Sequence, residues 1–216
     1  MSQPIILLAS ASPRRRELIR LLNVPYEVLS TDIDETPQPG EPIAAMVERL
    51  SRAKAAAARA IRPEALVIAC DTSVELEGVI YGKPRDADEA RIMLRALRGR
   101  DHWVYGGITL RYGADVEAMV VRTRVWMRDY TDAEIEAYVA TGDPLDKAAA
   151  YAVQHPTFHP VARVEGCFAN VMGLALCRLY RALGRYYPPV EPCLECQQHP
   201  EQDCTVRRLV MQSNST

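Results

Sequence analysis

The sequence predicts an α/β protein built on a mixed, twisted sheet flanked by helices, because strand and helix patterns alternate along the chain. Ile5 to Ala9 and Ala65 to Ala69 are short apolar runs typical of buried strands. Between them, apolar residues recur at helical spacing from Ile43 to Ile61 and predict a long amphipathic helix. Two long strand patterns follow, at His102 to Tyr112 and Val116 to Arg128.

Turn and capping residues predict the remaining elements. Ser12 before Pro13 marks the start of the first helix, and Thr131 with Glu134 forms a capping box that opens a short helix. We further expect strands at Tyr26 to Ser30, Ala150 to Val153 and Val161 to Val164, a hairpin at Glu75 to Tyr81, and helices at Asp86 to Arg98 and Asn170 to Leu183.

Composition narrows the classes of function. The 216 residues are 48% apolar, enough for a full hydrophobic core. Lys and Arg number 26 against 28 Asp and Glu, so the net charge of -2 provides no general field for nucleic acid or an anionic membrane. The start of the chain has neither a basic region nor an apolar run long enough for a signal peptide or a membrane span. We therefore predict a cytoplasmic protein without a nucleic-acid or membrane partner.

Three consecutive arginines, Arg14, Arg15 and Arg16, fall in the first turn of the first helix. A helix N-terminus is already partly positive, so these guanidinium groups destabilise the helix unless something negative offsets them. Free backbone N–H groups and arginine side chains together form a good phosphate site. The alternative is an ordinary solvated basic turn.

Lys54 and Asp71 are the next candidates. Lys54 lies on the apolar stripe of its helix, where its ammonium either reaches solvent at the stripe's edge or binds an anion inside. Asp71 follows a buried strand, at the position where α/β proteins place ligand sites, and can hold Mg²⁺ or orient a water. A turn or capping aspartate is the alternative. Asp34 and Glu35, in the loop after the second strand, are candidates for a second metal-facing carboxylate.

Two turns each present a lysine in a rigid setting. They are Gly82-Lys83-Pro84 and Asp143-Pro-Leu-Asp146-Lys147. A lysine held this way can offer one point charge to a phosphate chain, although turn lysines are commonly just solvated.

Taken in order, these motifs resemble the Maf family of nucleotide pyrophosphatases, from about Ile5 to Leu183. The resemblance rests on Ala9-Ser-Ala-Ser12-Pro-Arg14-Arg15-Arg16, Asp34-Glu35-Thr36, Arg49-Leu50 with Lys54, Asp71-Thr72, Gly82-Lys83-Pro84, and Pro144-Leu-Asp146-Lys147-Ala148 with Tyr151 and Gln154. It implies a two-lobed fold similar to inosine triphosphate pyrophosphatase, with the active site in the cleft between the lobes, and commonly a homodimer.

The resemblance also implies an activity and a set of roles. A nucleoside triphosphate is cleaved to the monophosphate and pyrophosphate with Mg²⁺ or Mn²⁺, in a house-cleaning role against non-canonical nucleotides. Asp71 corresponds to the general base or metal-orienting acid, and Glu35 joins it at the metal. Ser12, Arg15, Lys54 and Lys83 would hold the triphosphate. Selectivity for the base falls on Arg14, Thr72 and Gln154. Together with Asp146 and Lys147, the residues at these positions resemble those of the branch that prefers dTTP and UTP.

The chain departs from the family pattern after Lys147. Ala149, Ala152 and His155 stand where the family usually has glycine. The added Cβ atoms at Ala149 and Ala152 disfavour positive φ and leave less space for a base to approach the backbone. Ala175 replaces a proline, and Gly166-Cys-Phe-Ala-Asn170 replaces a Gly-Ser-Tyr-like loop. Base preference is therefore less firmly predicted than the reaction. A nucleotide-binding regulatory module with weak catalysis, related to cell division or stress, is the alternative function.

Six cysteines fall into two groups. Cys70, Cys167 and Cys177 lie in apolar patterns and are expected to be buried hydrophobic residues.

Residues 1–187 are predicted to form the pyrophosphatase domain. Residues 188–216 are predicted to form a tail, which contains the other three cysteines and a histidine: Cys193, Cys196, His199 and Cys204. These four side chains suit tetrahedral Zn²⁺, while a disordered tail with incidental thiols is the alternative.

Overall fold

The computed structural model describes residues 3–187 and contains a seven-stranded mixed sheet with the strand order β2-β1-β3-β5-β6-β7, in which β4 pairs with β3. The strands are β1 (Ile6–Ala9), β2 (Tyr26–Val28), β3 (Leu66–Leu76), β4 (Val79–Tyr81), β5 (Asp101–Tyr112), β6 (Asp115–Met127) and β7 (Val161–Glu165). The helices are α1 (Pro13–Arg20), α2 (Ile43–Ile61), α3 (Ala87–Leu97), α4 (Asp132–Val139), α5 (Phe168–Val171) and α6 (Leu176–Leu183). The predicted α/β class is confirmed.

The chain divides into two compact units. Within the described residues, unit 1 comprises residues 3–71, 106–121 and 173–187, and unit 2 comprises residues 72–105 and 122–172. No described helix is long and apolar enough to cross a membrane.

Unit 1 is organised around two parallel strand pairs. β1 pairs with β2 on one side and with β3 on the other, up to the partners Ala9 and Ala69. Small side chains on these strands pack with the inward face of α2, and the cluster consists of Leu7, Ala9, Ala55, Ala58, Ala65, Val67 and Ala69. Apolar spacing alone predicted the bounds of α2. Burial of its stripe drives α2 onto the sheet.

Gly107 on β5 allows α2 to lie very close to the sheet. A Cβ atom at this position would stand 2.2 Å from the carbonyl oxygen of Val47, a distance that real side chains do not adopt. Nearby, Ser51 and Thr109 share a buried hydrogen bond of 2.8 Å between α2 and β5. The register of α2 on β5 is therefore fixed by a steric fit and a polar contact together.

Unit 2 contains the antiparallel pairs. β3 and β4 form the predicted hairpin, and β6 pairs with β7. Two helices of this unit begin at side-chain caps: Asp86 accepts a hydrogen bond from the Glu89 backbone, and Thr131 and Glu134 form the predicted reciprocal capping box. Tyr138 stacks on Phe158 with ring centroids 4.4 Å apart, which packs α4 against the segment before β7.

The prediction of a strand at Ala150 to Val153 is wrong. Two short 3-10 turns occupy Asp143–Asp146 and Ala148–Ala150, and the chain then continues without a strand. Ala149 and Ala150 have φ values of 54° and 61°. Because extended strands need negative φ, these two residues cannot belong to one.

The prediction of a single helix from Asn170 to Leu183 is also wrong. The structure has α5 and α6 instead, separated by Gly173, whose φ is 116°. That value lies outside the helical region, so the helix must end there. The apolar periodicity continues across the break because both short helices are buried.

Candidate active site

Asp71 lies within β3 rather than at its end, because β3 continues to Leu76. The expectation of a strand-end aspartate is corrected in this respect. The parallel pairing of β3 with β1 nevertheless stops at Ala69, so Asp71 follows the carboxyl end of the parallel ladder. Only 6% of Asp71 is exposed. A carboxylate buried to this extent requires a partner of opposite charge or several hydrogen bonds.

Lys54 provides that partner. Its ammonium lies 2.7 Å from Oδ1 of Asp71 and 2.9 Å from Oε1 of Glu35. The side chain is 11% exposed, so it does not extend to solvent at the edge of the stripe. α2 and β3 bring one buried ammonium against two carboxylates from distant parts of the sequence. The alternative that Lys54 reaches solvent is therefore wrong. Glu35 and Asp71 lie close together, because both contact the Lys54 ammonium.

Arg15 faces inward from the first turn of α1. Its Nη1 donates to the carbonyl oxygen of Cys70 at 2.9 Å and to Oγ of Ser10 at 3.1 Å, and its Nε donates to the carbonyl oxygen of Gly173 at 2.9 Å. The guanidinium therefore connects the residues just after β1, the end of the parallel part of β3, and the turn before α6. Arg15 is not part of a merely solvated turn.

The neighbouring arginines and Ser12 complete the start of α1. Nη2 of Arg16 donates to the carbonyl oxygen of Ala11 at 2.7 Å. Ser12 is the residue preceding α1, and its side chain makes no capping bond to the described residues. Arg14 is half-buried. The first turn of α1 contains no acidic residue, and the guanidinium groups of Arg15 and Arg16 donate to backbone carbonyl oxygens instead.

Cys70 behaves as the sequence predicted. Burial raises the pKa of its thiol to about 11, so it is protonated at neutral pH and is not a nucleophile. Cys177 is also buried, Cys167 is partly so, and none of the three forms a disulfide.

The two predicted lysine turns meet in unit 2. The backbone N–H of Ala149 donates to the carbonyl oxygen of Gly82 at 2.9 Å, which ties the turn carrying Lys83 to the turn carrying Lys147. Lys83 is exposed. Ala149 is held in left-handed geometry, which costs an alanine roughly 1 to 2 kcal/mol. This bond helps to hold that strained conformation, at a position where the family usually has glycine.

Lys147 is buried, so the solvated-lysine alternative is wrong here. Its ammonium donates to the carbonyl oxygen of Asp143 at 2.6 Å, to Oδ1 of Asp143 at 2.7 Å and to Oδ1 of Asp146 at 2.7 Å. An ammonium group has three N–H donors, and these three acceptors match them. Tyr138 donates to the other carboxylate oxygen of Asp143 at 2.8 Å. Lys147 therefore stabilises the turn from Asp143 to Lys147 through hydrogen bonds within that turn.

His102 and Tyr151 form a buried pair that sequence reasoning missed. Nε2 of His102 lies 2.8 Å from the Tyr151 hydroxyl, and both side chains are almost fully buried. Burial lowers the pKa of His102 to about 4, opposed by nearby Asp101, and burial raises the pKa of Tyr151. Both side chains are therefore neutral near pH 7. The only available signal was a histidine in the apolar pattern of β5.

His155 has a structural role in the same region. Its Nδ1 accepts a hydrogen bond from the backbone N–H of Phe158 at 3.0 Å, and burial lowers its pKa. Gln154, just before it, is half-buried. The histidine thus fixes the turn that follows Gln154, at a position where the family usually has glycine.

The predicted site residues divide between the two units. Unit 1 contains Ser12, Arg14, Arg15, Glu35, Lys54 and Asp71, while unit 2 contains Thr72, Lys83, Asp146, Lys147 and Gln154. Asp71 and Thr72 are consecutive, so the division falls between two candidate site residues.

Metal binding has partial support from the residues present. Glu35 and Asp71 both supply carboxylate oxygens to the same ammonium group, so a cation already lies between them. Among residues 3–187 there is no group of three or more His, Cys, Asp or Glu side chains suited to a metal ion. The predicted zinc ligands Cys193, Cys196, His199 and Cys204 lie outside the described residues.

A mixed α/β fold with a buried carboxylate, a buried lysine beside it and an inward arginine defines a class of protein that binds an anionic ligand next to acidic groups. The particular family follows from sequence comparison. The chain belongs to the Maf-like protein family, whose sequence model matches residues 5–186.

Curated relatives agree with this assignment. The chain is similar to a dTTP/UTP pyrophosphatase of Myxococcus xanthus, with 49% identity over 81% of this chain and 88% of the relative. A dTTP/UTP pyrophosphatase of Pelotomaculum thermopropionicum is 44% identical over 84% and 96%, respectively. One of Salinibacter ruber is 48% identical over 82% and 89%.

Proposed function

We propose that this protein is a nucleoside triphosphate pyrophosphatase. Water attacks the α-phosphorus of the substrate, the bond between the α and β phosphates breaks, and the products are a nucleoside monophosphate and pyrophosphate. The observation that carries the proposal is the buried Asp71 carboxylate, held 2.7 Å from Lys54 with Glu35 on the same ammonium. The names of the curated relatives support dTTP and UTP, or a modified pyrimidine nucleotide, as substrates.

In the proposed mechanism, Asp71 orients the attacking water and accepts its proton. A carboxylate within reach of the reacting water typically contributes 10²- to 10⁴-fold to the rate. Lys54 stabilises negative charge on the phosphate chain as the pyrophosphate leaves. Ser12, Arg15 and Lys83 are proposed to hold the polyphosphate together with Lys54, through side-chain donors and the exposed N–H groups at the start of α1.

Glu35 and Asp71 are the proposed ligands of Mg²⁺ or Mn²⁺. Mg²⁺ is commonly bound by one or two carboxylates plus substrate phosphates and water, so two acidic residues suffice. When bound, the metal would polarise the phosphoryl oxygen and neutralise developing charge.

Arg14, Thr72 and Gln154, together with Asp146 and Lys147, are proposed to select the base. Lys147 would act here by holding Asp143 and Asp146 in place, because its ammonium binds both carboxylates. Gln154 offers both a donor and an acceptor, which a uracil or thymine edge requires.

Replacing Asp71 with asparagine tests the catalytic role. We expect Asp71→Asn to lower kcat by at least about a hundredfold, because the amide cannot accept the water's proton. Pyrophosphate release is measured as phosphate after adding inorganic pyrophosphatase.

Glu75→Gln is the matched control, since Glu75 is a second acid on β3 whose Oε1 accepts the Gly78 N–H, and an amide oxygen can do the same. The control should keep wild-type activity. Release of pyrophosphate by Asp71→Asn at near wild-type rate would falsify the role given to Asp71.

The regulatory-module alternative is not favoured, because the curated relatives are named as pyrophosphatases. A panel of canonical and modified triphosphates with Mg²⁺ or Mn²⁺ separates the two functions. Turnover greatest with dTTP or UTP supports the enzyme, and tight binding without turnover across the panel supports the module.

We also propose a homodimer that works in the cytoplasm, as the family resemblance implies. Light scattering coupled to gel filtration measures the mass directly. A monomer at the concentration of the activity assay would contradict the dimer.

A further inference from the structure

We infer that Arg49 is a positioning residue that holds the loop of Glu35 and thereby sets the affinity of the proposed metal site. This inference rests on the proposed function, because it assigns Arg49 a role through a residue of that site.

The loop between β2 and α2 carries Glu35 and has no helix or strand of its own. Residues 29–42 are irregular, yet Glu35 must bring its carboxylate to the ammonium of Lys54. Glu35 itself is 59% exposed along its side chain, so packing does little to hold it. A flexible carboxylate loses conformational entropy whenever it is ordered at a metal. Some other contact is needed to order the loop in advance.

Arg49 on α2 supplies this contact at two points. Its Nη2 donates to the carbonyl oxygen of Thr36, the residue after Glu35, at 3.2 Å. Its Nε and Nη2 also bind the two carboxylate oxygens of Glu41, at 2.6 and 2.7 Å. This bidentate geometry is strong and directional. One guanidinium therefore connects the chain beside Glu35 to the far end of the loop.

Further hydrogen bonds make the two contact points rigid. Oε2 of Glu41 accepts the backbone N–H of Gln38 at 3.3 Å, and Oδ1 of Asp34 accepts the backbone N–H of Thr36 at 2.9 Å. The Glu41 side chain is only 10% exposed, and its hydrogen bonds to Arg49 lower its pKa. Glu41 thus stays ionised and paired at neutral pH, and the loop keeps its shape.

α2 carries both groups that define the position of Glu35. Lys54 binds the carboxylate, and Arg49, on the same helix, holds the neighbouring peptide group. Residues that orient a metal ligand without touching the metal typically contribute 10- to 100-fold in affinity. Lysine cannot replace Arg49, because a single ammonium lacks the fork that binds Glu41 and Thr36 together.

The test measures Mn²⁺ binding directly, from the free Mn²⁺ signal in electron paramagnetic resonance, with a non-hydrolysable UTP analogue present. We expect Arg49→Ala to weaken Mn²⁺ binding about tenfold or more, and Arg49→Lys to give most of that loss while keeping the charge. Arg52→Ala is the matched control: Arg52 lies on the same helix, is 48% exposed and pairs with Glu48. It should bind Mn²⁺ as the wild type does.

Kinetics separate positioning from general damage to the fold. In Arg49→Ala the metal concentration for half-maximal activity should rise, while kcat at saturating metal recovers. In a Glu35→Gln background, Arg49→Ala should add no further loss of Mn²⁺ affinity, since its effect passes through Glu35. A full additional loss in that background would overturn the inference.

Other outcomes also decide the matter. Wild-type Mn²⁺ affinity in a folded Arg49→Ala or Arg49→Lys variant would overturn the inference, and so would a wild type that takes up no Mn²⁺. If Mn²⁺ binding depends on Arg49 but the wild type releases no pyrophosphate from any triphosphate, the proposed reaction fails while the role of Arg49 stands.

Discussion

Lys54 places one nearly buried positive charge between two carboxylates from different elements. An unpaired buried carboxylate would cost several kcal/mol, and the Lys54 ammonium at 2.7 Å offsets this cost for Asp71. The same ammonium is proposed to bind the phosphate chain. Substrate phosphates and the two carboxylates would therefore compete for Lys54, and a metal ion held by Glu35 and Asp71 would neutralise part of the charge of these two acids.

His102 makes protein stability depend on pH because its side chain is buried. Burial lowers its folded pKa to about 4, below the ordinary histidine value of 6.5. Between these values the unfolded chain binds more protons than the folded one, so stability is present above about pH 6.5 and is lost as pH falls toward 4. The shift corresponds to roughly 3 kcal/mol. We expect His102→Gln to remove this part of the pH dependence, measured by urea unfolding between pH 7 and pH 4.

The histidine His159 provides the comparison, because it is exposed. The slope of unfolding free energy against pH in His102→Gln is therefore compared with the slope in His159→Gln as well as in the wild type. An unchanged slope in His102→Gln would show that the buried histidine does not titrate as inferred.

Some residues of the candidate site could be recognised from the sequence alone, and others could not. Lys54 and Asp71 were identifiable as candidates because one is a lysine on an apolar stripe and the other an acid directly after a buried strand. The roles of Arg49, His102 and Lys147 were not, because each depends on partners that only folding brings near. Lys147 illustrates the limit: its turn was predicted, but its enclosure by Asp143 and Asp146 was not.

At the scale of elements, α2 is the main support of unit 1's site, since it carries Arg49 and Lys54. Its approach to β5 depends on Gly107, where any Cβ would meet the Val47 carbonyl at 2.2 Å. We expect Gly107→Ala to destabilise the protein by about 2 to 3 kcal/mol or more, because the helix must move from its site on the sheet. Urea unfolding gives the free energy, and Mn²⁺ binding should weaken with it.

Gly82→Ala is the counterpart. Gly82 has no atom within 4 Å of a built Cβ and no positive φ, so this change should alter stability by no more than about 0.5 kcal/mol. Equal losses for the two alanine variants would contradict the close approach of α2 to β5.

Elements were predicted best where a local rule determined them. The bounds of α2 followed from apolar spacing, and α3 and α4 began at their capping residues. β3 proved longer than its apolar run, since the strand continues past Asp71 to Leu76 and its last three residues pair with β4. The strand expected near Ala150 failed because two alanines there take positive φ, which their own propensity disfavours.

At the scale of the whole molecule, the proposed site residues lie between Ser12 and Gln154. The family match ends at residue 186, and Tyr187 donates a hydrogen bond to the carbonyl oxygen of Pro4. We therefore predict that a chain ending after Tyr187 keeps the full pyrophosphatase activity, with kcat/KM on dTTP and UTP as the measurement.

Zinc content of the same two proteins tests the tail. Zinc present in the full chain and lost on truncation would support a site at Cys193, Cys196, His199 and Cys204. Loss of activity in a folded truncated chain would show instead that residues 188–216 take part in the reaction.

The sequence by itself determined the class of fold, most of the helices and strands, the family and the main acidic and cationic candidates, because periodicity, capping and ordered motifs are properties of the local chain. Only the tertiary structure decided that the ammonium of Lys54 faces Asp71 and Glu35, that Arg49 holds the Glu35 loop and that Lys147 is enclosed by aspartates. These contacts join residues far apart in sequence or depend on side-chain direction. Both are set by how buried surfaces pack, which no local pattern encodes.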